Sequence, residues 1–172
     1  CILYLGFYLN DDDLITTSLI IIFSLISFLL FNFPFGKIFL GDSGSYLIGL
    51  LAGYLIIKTF AIHENLPSWS AVIILYYPTM ETVFSFCRKI YKKKSPFIAD
   101  NKHLHIMIFL LISKNFDRPK LFNSLVAPFL SIIWLTPLAV LPITLELPII
   151  SFLVLLILTF TYLFFYKAVP KP

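Results

Sequence analysis

Four residues carry most of the chemistry that this sequence offers. Asp42 sits in a polar interruption, Gly36 to Ser45 (GKIFLGDSGS), between two long apolar segments; Lys102, His103 and His105 lie together in a second, basic stretch. A helix beginning at Gly44 exposes unpaired backbone N–H groups and the positive end of its dipole, which together favour an anion. A carboxylate just before those donors suits a divalent cation bridging it to phosphate oxygens, since Mg²⁺ is commonly held by one or two carboxylates plus substrate phosphates. The plainer reading is that Asp42 or Ser43 caps the helix. Spacing alone leaves both open.

The basic stretch runs from Arg88 through Lys94 to Ser95-Pro-Phe97 and Asp100-Asn-Lys-His-Leu-His105. Its cations suit anionic lipid headgroups or, with the histidines, a substrate phosphate. His103 and His105 are two apart, so they diverge on a helix and share a face only in an extended segment. No third ligand has a spacing that would make them a metal site. Glu81 lies about two turns inside the preceding apolar segment, and a carboxylate at that depth is expected to face protein rather than lipid.

The elements that must position these groups are membrane spans. Of 172 residues, 59% are hydrophobic and only 13% charged, and the mean hydropathy is +0.94, far from an ordinary soluble domain. The aromatic residues, chiefly 19 Phe, are scattered through apolar runs, so no nucleic-acid platform is implied. Cys1 and Cys87 match no metal or redox spacing. The reading is an all-α polytopic integral membrane protein with about five complete transmembrane helices, at Leu14 to Phe33, Gly44 to Ile62, Trp69 to Cys87, about Leu121 to Leu141 and Pro148 to Tyr166. Cys1 to Leu9 is too short to span and reads as the tail of a truncated helix. The last two spans are joined by a turn containing Pro142 and Pro148. Residues 1–172 read as a single transmembrane domain, expected to be the C-terminal portion of a longer chain.

Asn10 to Asp13 puts three acids beside the first full span, a run that resembles a metal site but reads more simply as a cap, with Asn10 or an aspartate at the helix start. If the spans alternate, one side holds the loops 33–43, 88–120 and 167–172 and every basic residue of the thirteen except Lys58. The positive-inside rule makes that side cytoplasmic. Lys58 either snorkels outward from its span or pairs with a buried carboxylate. Gly41, Ser45, Gly49 and Gly53 recur every four residues, a face that would let another helix approach closely. The middle of the long loop, around His103 to Ser113, is expected to form a short interfacial helix.

The ordered set Phe33-Pro-Phe-Gly-Lys-Ile-Phe-Leu-Gly-Asp-Ser-Gly-Ser45, Pro78-Thr-Met-Glu-Thr82, Ser95-Pro-Phe97 and Asp100-Asn-Lys-His-Leu-His105 resembles the C-terminal half of the polyprenyl-phosphate N-acetylhexosamine-1-phosphate transferases (glycosyltransferase family 4). That family is related to the phospho-N-acetylmuramoyl-pentapeptide transferase and starts O-antigen (lipopolysaccharide), teichoic acid and related cell-wall glycan lipids. The resemblance implies an enzyme that transfers a sugar 1-phosphate from a UDP-N-acetylhexosamine, such as UDP-N-acetylglucosamine, to undecaprenyl or another polyprenyl phosphate, releasing UMP, with Mg²⁺. It implies that Asp42 is the catalytic, metal-bearing aspartate and that Lys102, His103 and His105 bind substrate phosphate. It further implies a multi-pass location in the bacterial inner membrane with the active face cytoplasmic, and a second copy of the chain as a conceivable partner. Ile106 stands where the family usually has another histidine. The family's paired aspartates lie upstream, so this stretch alone is expected to be inactive. The competing class is a transporter module or non-catalytic scaffold; a transporter predicts ionisable groups at mid-membrane, and here only Glu81 comes close.

Overall fold

The computed structural model describes residues 1–34, 36–96, 98, 102–113 and 119–169, and among these there are helices and no strand. Phe35, Phe97, Asp100, Asn101 and Lys171, which the sequence reading used, lie outside the described residues, as do Lys114 and Arg118.

The chain opens with α1, Ile2–Leu9, which turns back at Asn10 in a left-handed conformation (φ 53°, ψ 41°), a conformation that Asn tolerates better than most residues. Helix α2, Asp12–Asn32, then runs antiparallel to it. The Asp11 carboxylate accepts from the Leu14 backbone N–H at 2.9 Å, and Asp12 and Asp13 follow in the first turn. The acidic triplet is thus a helix start, with its negative charge at the positive end of the dipole. Gly6 permits the close approach of α1: a Cβ there would lie 2.8 Å from Ile15 Cγ1 and 3.0 Å from its backbone nitrogen.

Helix α3, Gly41–Ile62, follows the polar junction. It starts three residues earlier than the Gly44 start read from sequence, because Gly41 takes φ +70° and lets the chain enter the helix there without the penalty that a Cβ imposes in that region. A Cβ on Gly49 or Gly53 would meet nothing within 4 Å, so the small-residue face of α3 is open on the described part of the chain. Lys58 is exposed.

The third expected span is not one helix. It is divided into α4, Ser68–Ile74, and α5, Tyr76–Tyr91, bent by 86° at Leu75. Pro78 gives the reason: it has no N–H to donate to Ile74 and its ring crowds that carbonyl, so the helical ladder breaks one turn before it. The remaining helices are α6, Leu104–Ser113, α7, Pro119–Thr144, and α8, Pro148–Ala168. Pro142 lies inside α7 rather than in the turn after it. Pro148 occupies the first turn of α8, where its missing donor costs nothing.

Helices α2, α3 and α8 are long and apolar enough to cross a membrane, and the bent pair makes a fourth crossing if taken as one span. Side-chain contacts set the bent pair along α8. Trp69 packs on Phe152 with centroids 5.2 Å apart; Tyr76 donates its hydroxyl to the Leu158 carbonyl; Phe84 packs on Tyr162 and Tyr166 at 5.6 and 4.5 Å; Arg88 bonds the Tyr166 hydroxyl. Contact moves steadily along α8 from Phe152 to Tyr166, so the pair runs beside most of the length of that helix. Helix α7, at 26 residues, has the length of a fifth crossing.

Two apolar clusters mark the two ends. One gathers Leu5, Leu14, Leu55, Leu66, Leu141 and Leu145. There Ser70, with no exposed surface, donates to the Thr144 carbonyl at 2.6 Å. The other, around Ile73, Tyr76, Leu104, Met107, Leu158, Tyr162 and Tyr166, underlies the functional groups. Much of the remaining apolar surface faces outward, as on α2 (Phe23, Leu30, Phe31) and α3 (Leu50, Ile57), which in a bilayer is lipid-facing surface and not a defect. The protein is an all-α membrane protein.

Candidate functional site

Helix α5 is polar along one face because Glu81, Ser85, Arg88 and Lys89 follow the helical repeat. Glu81, Ser85 and Lys89 are nonetheless buried, and buried polar groups need partners. The partners are the loop that follows. Lys89 Nζ donates to the carbonyls of Pro96 at 3.0 Å and Ile98 at 2.7 Å. Arg88 donates through Nη1 to the Lys102 carbonyl at 2.6 Å and to the Tyr166 hydroxyl, and through Nη2 to Ser85 Oγ at 3.3 Å. The Tyr166 hydroxyl donates to the same Lys102 carbonyl at 3.1 Å. Glu81 receives the Leu104 backbone N–H on Oε1 at 3.0 Å, the Tyr77 hydroxyl on Oε1 at 3.2 Å, and pairs with His103 Nδ1 through Oε2 at 2.8 Å. Glu81 therefore faces protein, as its depth implied.

His103 precedes α6 and His105 lies in its first turn, so the two do not diverge as they would within one helix. Their rings stack, with centroids 5.7 Å apart and planes 19° from parallel. His105 is exposed as a residue, but the part of its ring turned inward loses water. That loss pushes its pKa below the ordinary histidine value, with the Glu81 charge pulling upward and His103 pushing downward.

Beside the histidines, Arg88, Lys89, Lys92, Lys93, Lys94 and Lys102 line a cavity of about 490 Å³, closed by Ser95 and Ile98. Six cations around one cavity concentrate positive potential, and an anion with several charges is the ligand such a field attracts. Arg88 and Lys89 spend donors on the backbone of the loop, so part of their role is to build the cavity wall.

Asp42 is placed differently. It is exposed, within the first turn of α3 rather than ahead of it, and among the described residues its side chain has no hydrogen-bond or ion-pair partner. The residue before the helix is Leu40, which offers no side-chain cap, so the capping reading of Asp42 does not describe what it does. Ser45 Oγ donates to the Asp42 carbonyl at 3.0 Å. The junction and the basic loop lie at the same end of the bundle. Asp11, Asp13, Lys58 and Ile62 share a small cavity at the other end, which leaves the start of α3 on the side of Arg88 and Tyr166. Among the described residues, however, no group of three or more His, Cys, Asp or Glu is arranged to hold a metal ion. The structure thus stacks His103 on His105 and sets the neighbouring Lys102 in the basic cavity, while α3, which carries Asp42, packs mainly on α4 and α1. Sequence reasoning missed the clamping roles of Arg88 and Lys89; the spacing of Glu81, Ser85, Arg88 and Lys89 was the available signal.

Comparison with known proteins finds similarity over part of the chain. Residues 1–60 match the family described as Glycosyl transferase family 4. Among the similar proteins are the undecaprenyl-phosphate alpha-N-acetylglucosaminyl 1-phosphate transferase of Thermotoga maritima, 41% identical over 92 residues, covering 54% of this chain and 30% of that protein, and the probable undecaprenyl-phosphate N-acetylglucosaminyl 1-phosphate transferase of Bacillus subtilis, 33% identical over 95 residues, covering 54% and 26%. The decaprenyl-phosphate N-acetylglucosaminephosphotransferase of Mycolicibacterium smegmatis is 31% identical over 102 residues, covering 51% and 25%. The match spans less than a third of each of these relatives. No solved structure matches.

Proposed function

We propose that the protein containing this chain transfers a sugar 1-phosphate from a UDP-N-acetylhexosamine to a polyprenyl phosphate, releasing UMP. The observation that carries the proposal is the stacked His103–His105 pair held by α5 beside a cavity lined with six basic side chains, at the end of a transmembrane bundle. A nucleotide sugar in water and a phosphate on a membrane lipid meet only at the interface, and both bring negative charge that this cluster offsets. The names of the relatives support the same reaction class.

In this reading a phosphate oxygen of the lipid forms a bond to the phosphorus of the sugar 1-phosphate, and the bond from that phosphorus to the oxygen retained by UMP breaks. His103, His105 and Lys102 hold phosphate oxygens and offset the charge that builds on them. Asp42, whose carboxylate has no partner among the described residues, is the residue that would hold Mg²⁺, and the ion would supply charge neutralisation at the phosphates. The basic end faces the cytoplasm of a bacterial inner membrane, in keeping with the positive-inside rule. The test is UMP release by the full-length protein in detergent from UDP-N-acetylglucosamine and undecaprenyl phosphate. Release that requires both substrates is the expected result; a purified, folded protein that releases no UMP from any UDP-N-acetylhexosamine overturns the reading.

A further inference from the structure

We propose that Glu81 is a positioning residue that selects which nitrogen of His103 is offered to substrate; this rests on the phosphate-binding reading of His103 given above. A carboxylate only accepts hydrogen bonds. With Oε1 taking the Leu104 N–H and the Tyr77 hydroxyl, and Oε2 lying 2.8 Å from His103 Nδ1, the proton of the ring is fixed on Nδ1. Nε2 is then the ring atom left for an incoming ligand, and the hydrogen bond made by one ring nitrogen sets the role of the other. The exposures agree with this direction: the side chain of Glu81 is 10% exposed and that of His103 is 31% exposed, so the carboxylate is the deeper of the two and the ring remains reachable.

The same carboxylate fixes the backbone. Leu104 opens α6, and its N–H is one of the donors that a helix start leaves without an intrahelical partner. Glu81 supplies the acceptor from 23 residues upstream and on another helix. One side chain therefore sets the rotation of the His103 ring and the point at which the loop becomes helical, which also places His105 one step further on. Arg88, seven residues along α5, holds the Lys102 carbonyl, so the loop is pinned on both sides of His103.

Positioning can be separated from mere support with Glu81→Gln, which keeps an oxygen for the Leu104 N–H and tolerates burial. Its amide offers Nδ1 a donor and so favours the opposite tautomer. In the full-length protein Glu81→Gln is expected to lower turnover roughly a hundredfold, on the scale of losing one well-placed contact to developing charge. In a His103→Ala background the same change is expected to cost less than about threefold, since the ring it orients is gone. A loss of equal size in both backgrounds makes Glu81 a structural residue and overturns the proposal. A second readout needs no turnover: in ¹⁵N-histidine-labelled protein, His103 should be the Nδ1-protonated tautomer, shifting toward Nε2 protonation in Glu81→Gln. An unchanged tautomer also overturns the proposal. If UMP release is absent from the wild type while the tautomer shift is seen, it is the transferase reading that fails and the positioning role that stands.

Discussion

Arg88 holds the backbone of Lys102: its Nη1 donates to the Lys102 carbonyl at 2.6 Å, one residue ahead of the histidine whose ring is held by Glu81. Lysine cannot reproduce the fork that also reaches Tyr166 and Ser85. Arg88→Lys in the full-length protein should keep normal expression and lower UMP release by about tenfold to a hundredfold, the cost of misplacing a site by roughly an ångström. Turnover equal to wild type would show that the clamp is dispensable.

Asp42→Asn keeps size and hydrogen-bonding reach and removes the charge that a metal needs. Turnover should fall by several orders of magnitude, on the scale of losing metal-assisted charge stabilisation. A helix-capping role predicts the reverse, because Asn caps about as well as Asp. Radiolabelled sugar-phosphate transfer across a Mg²⁺ titration separates the two, and near-normal activity with normal metal dependence would remove Asp42 from the site.

His103→Ala or His105→Ala should each cost roughly tenfold to a thousandfold, less than Asp42→Asn, because phosphate contacts are shared with Lys102 and backbone donors. The pH response of His105 has a definite sign. Its folded-state pKa is lowered, first by loss of water around the ring, so the unfolded chain takes up the proton before the folded one does. Stability is then unaffected above the ordinary histidine value, near 6.5, and is lost as pH falls below it toward the folded value. Melting in detergent at pH 7.5 and 5.5 should show a drop that His105→Gln reduces; identical slopes for both proteins would contradict the assignment.

Cysteines placed at Lys93 and Lys167 should react with an impermeant label from one face of the membrane, and a cysteine at Glu64 from the other. The progression of contacts from Trp69 to Arg88 along α8 requires this. Labelling of Lys93 and Glu64 positions from the same side would make the bent pair a re-entrant element.

Ser70→Ala removes the buried bond to the Thr144 carbonyl. Hydrogen bonds between membrane helices average about 0.6 kcal/mol and reach about 1.7 kcal/mol, so a loss within that range is expected in a detergent unfolding titration. A loss several times larger would mean that α4 depends on this contact to dock at all.

The spans at α2, α3 and α8 were legible because about 20 apolar residues in a row have few other uses; a helix was expected around His103 to Ser113 as an amphipathic one, and α6, Leu104–Ser113, is a helix but apolar almost throughout. The elbow at Leu75 was not, since membrane helices often carry proline without breaking and the apolar run from Trp69 to Cys87 is uninterrupted. The placement of Lys102, His103 and His105 in one loop could be read from their proximity in sequence. The Glu81–His103 pair could not, because the partners are 22 residues apart and nothing local joins them. Asp42 was found by its setting in a polar junction, but its register was misjudged: glycine at position 41 lets the helix begin sooner than the Gly44 start that the polar run implied.

The 86° elbow before Pro78 also sets how accurately the histidine loop can be aimed. Arg88 stands 13 residues beyond Leu75, about 20 Å along a helix rising 1.5 Å per residue. A change of about 10° at the elbow would swing the end of that arm by about 3 Å, more than a hydrogen bond tolerates. The bend is a lever whose stiffness is transmitted to the cavity. Relaxing it with Pro78→Ala would blur the aim of Glu81, Arg88 and Lys89 together, a loss of precision at one end of the protein caused by freedom gained near its middle.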